Sequence, residues 1–456
     1  MKYTCHHVDK WLYANMDLAE EQLEKQSKAL IVIAGASSSG KSFLSESLKS
    51  NLEKNGKRCL TISLDQYNFG LSGIIPNKVN EHYFSNSIPN MKKIREIIYD
   101  IIVDIPFDKK YDDEACSKIR EALMNFFPTS ETLDTFIDGL KDEWAHLNFD
   151  EPTVYNLEEA AEDVFKLFNN EKITSKTYSK INSERLKNNQ YFDGKDYDVI
   201  VIEGIYALND EFLKRVAPLN PITNFIEGNA KTLFLRRIIR DKKGTSASSS
   251  FTIGLYFKYI LDSYRKTILP SKAAASIVLE NDFSFNELRE GELFVSRDTF
   301  PVERLEAISL LKNESKIEEV SYQKDFYFTV PNEKQDEQNL LRFREISLDE
   351  GKTYIPGSLV HKGAPKFRDD GKIIRPINVL LNESEISEVW KNNDDVLFTF
   401  LDNGFQISKA EEKIKTRIKY KGQEFSIYEV RGKQAYLEIG QLTNFNAIQE
   451  VRRIVK

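Results

Sequence analysis

The sequence predicts an α/β fold: a doubly wound parallel sheet built on a phosphate-binding loop and carrying a helical insertion, followed by an antiparallel β domain. Three observations predict it. The stretch "LIVIA" (30–34) runs straight into a Gly/Ser-rich loop and then a helical pattern. The apolar runs "CLTISL" (59–64) and "VIVI" (199–202) each end on an acid, and they alternate with helical patterns. Beyond about residue 281, short segments alternate apolar and polar residues with period two.

The chain has 456 residues, of which 41% are hydrophobic and 30% charged, enough to bury two or three cores. Its net charge of −7 argues against bulk nucleic-acid binding. Cys5, Cys59 and Cys116 suggest neither a disulfide framework nor a metal knuckle. No apolar run approaches membrane-spanning length, and the N-terminus is too polar for a signal peptide, so a cytoplasmic protein is expected. The first 28 residues are expected to be a helical segment.

The first strand covers Leu30 to Ala34. Gly35, Ala36, Ser37, Ser38, Ser39, Gly40, Lys41 and Ser42 then fit G-x-x-x-x-G-K-[ST]. Such a loop turns successive backbone N–H groups inward onto phosphate oxygens, and the following helix adds its positive end. Lys41 would reach the β and γ phosphates, and Ser42 would ligate Mg²⁺. ATP and Mg²⁺ are therefore the expected donor and ion. A second strand over 59–64 places Asp65 at its C-terminal tip, and a third over 199–202 places Glu203 at its own. Ligands of open parallel sheets gather at those tips. "ITNFIE" (222–227) and "ASIVLE" (275–280) supply two more strands.

Residues 71–147 interrupt this plan with helical patterns, among them Ile94, Ile98 and Ile102, and Phe136, Leu140 and Trp144. They are read as an insertion whose role is packing. The helix "LFLRRIIRD" carries Arg236, Arg237 and Arg240 and leads into "GTSASSS" (244–250). It is either a lid over phosphates or a plain solvated basic helix. In the antiparallel region Lys413, Lys415, Arg417, Lys419 and Lys421 alternate with Ile414, Thr416, Ile418 and Tyr420, so period two puts the cations on one face. Arg342 and Arg344 repeat the pattern. That face is either an edge strand guarded by lysines or a basic lumen holding a polyanion.

On "GASSSGKS", "SLDQYN", "NFDEP" (148–152), "TYSKINSER" (177–185), "VIVIEGIYAL" and "RRIIRD", residues 29–280 resemble the uridine kinase and phosphoribulokinase group of P-loop kinases. On "FVSRD", "DFYF", "LLRFRE", "LVHKG" and "YLEIG", residues 291–456 resemble a diverged CYTH domain, the triphosphate tunnel barrel. The order of the two is similar to plant triphosphate tunnel metalloenzymes with an N-terminal uridine kinase domain. The resemblance implies Asp65 as general base and Asp150 on the ribose hydroxyls. It implies Phe149, Tyr178 and Arg185 around the acceptor, and Glu203 on Mg²⁺. Arg237 and Arg240 would be the lid cations on the transferring phosphate.

The chain also departs from that pattern. Uridine kinases place a His where Ser183 stands, an Arg where Lys242 and Lys243 stand, and a Gln where Ser263 precedes Tyr264; those family residues contact the nucleoside. The tunnel family's Glu-x-Glu-x-Lys is represented only by Glu292 and Arg297, with Glu345 and Glu438 as further acids. Arg342, Arg344, Lys362, Lys415 and Arg417 would form an anion site. The expected activity is transfer of the γ-phosphoryl group to a hydroxyl of a small, ribose-containing acceptor. A pyrophosphatase or triphosphatase in the C-terminal domain and a non-catalytic nucleotide or polyphosphate sensor are the alternatives. The expected partner is a small-molecule substrate, with no nucleic acid and no membrane; assembly into a homo-oligomer is compatible with the sequence.

Overall fold

The computed structural model describes residues 3–186, 190–244, 248–282, 293–296, 299–331, 340–347, 349–363, 366–367, 373–440 and 443–456. They form two compact units, the first drawn mainly from residues up to Asp282 and the second mainly from those beyond it. Among the described residues no helix is long and apolar enough to cross a membrane.

The first unit begins with β1 (Tyr3–Cys5), α1 (Val8–Lys25), β2 (Ala29–Gly35), α2 (Lys41–Lys54) and β3 (Cys59–Ser63). Four helices follow: α3 (Leu71–Phe84), α4 (Met91–Ile102), α5 (Asp113–Leu123) and α6 (Ser130–Ala145). After α7 (Leu157–Phe168), β4 (Lys172–Thr174) pairs with β7 (Tyr191–Asp193), and β5 (Thr177–Ser179) with β6 (Glu184–Leu186). Then come β8 (Val199–Glu203), α8 (Asp210–Val216), β9 (Ile222–Glu227), α9 (Ala230–Gly244), helical turns through 249–274 and β10 (Ile277–Glu280).

Six strands make one sheet in the order β1-β10-β9-β2-β8-β3, every neighbour parallel. Both faces are covered, as parallel sheets require. Leu30, Val32 and Ala34 join Ile200 and Ile202 in one core; Ile31 and Ile33 join Val199 and Val201 in the core on the opposite face. This alternation is why the strands read as unbroken apolar runs.

The N-terminal segment differs from expectation. It is a helix plus a strand, β1, which extends the sheet by pairing Tyr3 with Ile277 through Cys5 with Leu279. Three residues are too few to show a period. The anchor of α1 is the fully buried Trp11. Its indole Nε1 donates to Asn224 Oδ1 at 2.9 Å, and Asn15 Nδ2 donates to the same oxygen at 3.0 Å. Trp11→Ala opens a cavity and removes one of the two hydrogen bonds to a buried amide oxygen, so the first unit should lose about 3–5 kcal/mol, read from urea unfolding.

The insertion expected over 71–147 is helical and has its own core, in which Ile94, Ile98, Ile102, Phe136 and Leu140 are buried. Its helices start where caps allow: Asp112 accepts from Ala115 N, and Thr129 and Thr132 form a capping box.

The second unit is an antiparallel sheet of ten strands. They are β11 (Leu293–Ser296), β12 (Thr299–Pro301), β13 (Lys316–Thr329), β14 (Leu340–Ser347), β15 (Ile355–Lys362), β16 (Lys366–Phe367), β17 (Ile373–Leu381), β18 (Gln406–Tyr420), β19 (Gln423–Val430) and β20 (Tyr436–Ile439). Nine run in the order β11-β17-β15-β14-β13-β18-β19-β20-β12, with β16 beside β17. The two edge strands, β11 and β12, are almost consecutive in the chain, so the sheet must curl to bring its ends within about 11 Å. Helices Leu305–Glu314 and Phe445–Val455 cover one side, against Ile418, Tyr420, Phe425 and Leu437.

Candidate active site

Two glycines shape the loop between β2 and α2. Gly35 has φ 149°, and a Cβ there would lie 2.3 Å from the Ile226 carbonyl oxygen. Gly40, at φ 96°, has Asn281 Nδ2 in the corresponding place at 2.7 Å. Asn281 donates from that nitrogen to Ser39 O at 2.7 Å, and so fixes the loop from the end of β10. The buried Lys41 donates from Nζ to Ala36 O at 2.8 Å. Its ammonium thus lies inside the loop, and burial pushes its pKa down to about 8 against the pull of Glu203 and Asp65. Ser38 Oγ and Ser39 Oγ are buried without hydrogen-bond partners. A cradle of this kind is completed by an anion with acceptor oxygens.

The two strand-tip carboxylates stand beside it. Ser42 Oγ is 3.1 Å from Glu203 Oε1. Glu203 is 4% exposed; burial and the neighbouring Asp65 push its pKa up, while Lys41 pulls it down. A hydroxyl and a buried carboxylate in contact fit Mg²⁺, which takes one or two protein oxygens and completes its shell with phosphate and water. Among the described residues no group of three or more His, Cys, Asp or Glu side chains could hold a metal by itself. Asp65 is half-buried, and Lys180 Nζ lies 2.8 Å from its Oδ2. Burial pushes the Asp65 carboxyl up, but Lys180, Lys41 and Arg240 outweigh that and hold it below the usual carboxylate range.

The arginines of α9 converge on the same loop. Arg237 Nη1 donates to Ser37 Oγ at 2.7 Å and Arg240 Nη1 at 3.3 Å. Asp241 orients both, accepting from Arg237 Nε at 2.9 Å and Arg240 Nε at 2.8 Å. The buried Asp150 has Oδ2 3.6 Å from Arg237 Nη1 and without a hydrogen-bond partner. Ser37, Asp150, Arg237, Tyr256 and Tyr264 line a small cavity here. Arg237 and Arg240 thus face the loop; residues 245–247 of "GTSASSS" lie outside the described residues.

Not every expected residue is placed as anticipated. Tyr178 is near Asp65; burial first, and then the Asp65 charge, push its phenol up. Phe149 packs on Phe107 of the insertion, ring centroids 5.7 Å apart. Arg185 is turned to Glu159, with both terminal nitrogens 3.0 Å from its oxygens, and lines a polar cavity of about 480 Å³ with Asp163 and Lys176. A neighbouring carboxylate captured it, which spacing alone does not show. Missed altogether were Lys180, Asp241 and Asn281. Asp241 had a signal, four residues after Arg237 on one helix face. Lys180 stood within "TYSKINSER" with nothing to mark it.

In the second unit Asp325 is fully buried among cations. Arg344 grips it at 2.7 and 2.9 Å, Lys413 Nζ is at 2.5 Å and Arg342 Nη1 at 3.5 Å. Together with Arg342, Arg344 and Lys413, burial pushes Lys362 down to about 7. Arg342 Nε is buried without a hydrogen-bond partner. The stripe on β18 is thus only partly as expected. Lys413, missing from the expected anion set, reaches the cluster; Lys415 is half-buried; Arg417 is exposed and pairs with Glu319 at 3.1 Å. Lys421 lies past the strand in a turn, bound to Glu450. Period two held, but the strand runs from buried core to solvent. Glu345 has Lys324 and Asp394 as charged neighbours rather than this cluster, and Glu292 and Arg297 lie outside the described residues.

Residues 135–282 match the phosphoribulokinase / uridine kinase family. The uridine kinase of Staphylococcus haemolyticus (strain JCSC1435) is 27% identical over 138 residues, 30% of this chain and 64% of that protein. That of Ureaplasma parvum serovar 3 (strain ATCC 27815 / 27 / NCTC 11736) is 31% identical over 143 residues, 31% of this chain and 67% of that protein. A solved structure of a possible uridine kinase from Bacillus stearothermophilus overlaps 59% of this chain and 98% of its own, at 14% identity and a TM-score of 0.30, too loose to argue from. The chain therefore spans about two thirds of the length of these curated relatives, and the family match stops at residue 282. Through its first unit, the chain belongs to the phosphoribulokinase/uridine kinase family.

Proposed function

We propose that the first unit transfers the γ-phosphoryl group of ATP to a hydroxyl of a small, ribose-containing acceptor. The observation that carries this is the convergence of Lys41, Asp65, Glu203, Arg237 and Arg240 on one Gly/Ser loop. The loop amides and Lys41 hold the phosphate chain. Asp65 accepts the acceptor's hydroxyl proton as that oxygen bonds to the γ phosphorus and the bond to the β-bridging oxygen breaks, releasing ADP. Arg237 and Arg240, steered by Asp241, neutralise charge spreading over the transferring group. Asp150, with an unpartnered oxygen, takes the ribose hydroxyls. Ser42 and Glu203 would hold Mg²⁺, which supplies charge neutralisation on the phosphates. The test is ADP release by the purified chain with MgATP across a panel of nucleosides and sugars. Acceptor-dependent release supports the reading; release that no acceptor stimulates contradicts it.

A second reading concerns the second unit, where four cations, Arg342, Arg344, Lys362 and Lys413, surround one carboxylate, Asp325. With the CYTH resemblance, this imbalance supports a site for a phosphate-chain anion, either hydrolysed there or sensed. Lys362, pushed down to about 7, is half neutral at that pH. Below pH 7 the site meets the anion already charged; above it, binding must take up a proton. Affinity for tripolyphosphate should therefore fall by up to about tenfold per pH unit as pH rises through 7, read by calorimetry at pH 6 and 8. Arg342→Ala with Arg344→Ala should remove the binding. Phosphate release that survives Lys41→Ala and is lost in that pair would assign hydrolysis to this unit.

A further inference from the structure

Lys180 is the cation in contact with Asp65, and the donor side of the site does not use it. Of the cations that bear on Asp65, Lys41 belongs to the phosphate loop and Arg240 is hydrogen-bonded to it; Lys180 comes instead from the β5–β6 turn. That turn is fixed. Ser183 O accepts from Leu71 N at 3.0 Å, Glu184 accepts from Ser72 N at 3.0 Å and Ser72 Oγ at 2.7 Å, and Ser179 Oγ accepts from Asn182 N at 3.1 Å. The hairpin is thereby fastened to the first turn of the insertion, which gives that insertion a task beyond packing. The ammonium itself is free to change partner: the Lys180 side chain is 57% exposed, and exposed ion pairs are weak.

The acceptor hydroxyl must come within about 3 Å of Asp65 to lose its proton. An ammonium 2.8 Å from that carboxylate is then within about 6 Å of the hydroxyl. This is the span from a hydroxyl to an anionic group one or two carbons away on the same small molecule. A neutral acceptor would leave the ammonium on the base. An anionic one would draw it off and free the carboxylate. Positions where uridine kinases read a base are meanwhile satisfied internally: Asn148 Nδ2 donates to Ser263 Oγ at 2.7 Å, and Ser183 Oγ faces Lys180 O at 3.5 Å.

We propose that Lys180 is a specificity-determining residue that selects an acceptor bearing a phosphomonoester or carboxylate close to the hydroxyl that is phosphorylated. This rests on the phosphotransferase reading above.

The test uses the full chain with MgATP and matched pairs: ribose against ribose 5-phosphate, uridine against uridine 5′-monophosphate, and glycerol against both glycerol 3-phosphate and glycerate. The last two separate phosphate from carboxylate. An anionic member should be preferred by about 10- to 100-fold in kcat/KM. Lys180→Ala should erase most of that preference, chiefly through the KM of the anionic acceptor, and Lys180→Arg should restore it. Preference for the neutral members overturns the proposal and leaves the phosphotransferase standing. So does a Lys180→Ala loss equal for both members, or one that Lys180→Arg does not restore. Absence of transfer to any compound overturns both readings.

Discussion

Replacing Lys41 with alanine is expected to lower kcat/KM for phosphoryl transfer by about a thousandfold or more. Losing one preorganised donor at a developing oxyanion costs about 10²–10³-fold, and Lys41 is a buried, charged donor inside the loop. It also pulls the Glu203 carboxyl down against burial and the neighbouring Asp65, and it joins Lys180 and Arg240 in pulling Asp65 down. Its own pKa, about 8 in the free protein, fixes the sign of a pH effect. The ammonium is the form that binds phosphate, so kcat/KM for ATP should fall as pH rises above 8. Bound phosphates restore the charge, so the corresponding limb in kcat should lie higher. A coupled ADP assay from pH 6 to 10 reads both. Equal limbs in kcat and kcat/KM would contradict the burial argument.

Asp65→Asn is expected to reduce kcat by about 10²–10⁴-fold while leaving ATP binding within a few-fold. The amide is nearly isosteric but accepts no proton. Lys180, Lys41 and Arg240 hold the Asp65 carboxyl below the ordinary range, so it is ionised from mildly acid pH upward. A base of low pKa suits a loose phosphoryl-transfer transition state, in which the acceptor oxygen keeps its proton until late. The acid limb of the wild-type profile should accordingly lie below the usual carboxylate pKa of about 3.9. A limb near neutrality would point to a different base.

Much of this site was legible in the sequence because its parts are local. A Gly/Ser loop between a buried strand and a helix specifies its own geometry, and an acid directly after an apolar run, such as Asp65 or Glu203, must stand at a strand tip. The insertion was legible for the same reason, since Ile94, Ile98 and Ile102 repeat along one helix face. What stayed hidden was pairing across the chain. Nothing near Arg185 in sequence announces Glu159, 26 residues upstream, and nothing near Lys180 announces Asp65. In the second unit, Asp325 stands between Lys324 and the aromatic run Phe326 to Phe328, with nothing beside it to mark it as buried. Only the register that sets it opposite Arg344 reveals a buried counter-ion. The stripe from Lys413 to Lys419 is one face by period, but period carries no information about where along a strand solvent begins.

The central claim is that this chain moves a phosphoryl group to an organic hydroxyl. Incubation with γ-³²P-labelled ATP, Mg²⁺ and the acceptor panel, followed by separation of the products, tests it most directly. Label is expected in an acceptor ester with the wild-type chain, formed about 10²–10⁴-fold more slowly with Asp65→Asn. Label recovered solely as inorganic phosphate, whatever acceptor is supplied, would contradict it.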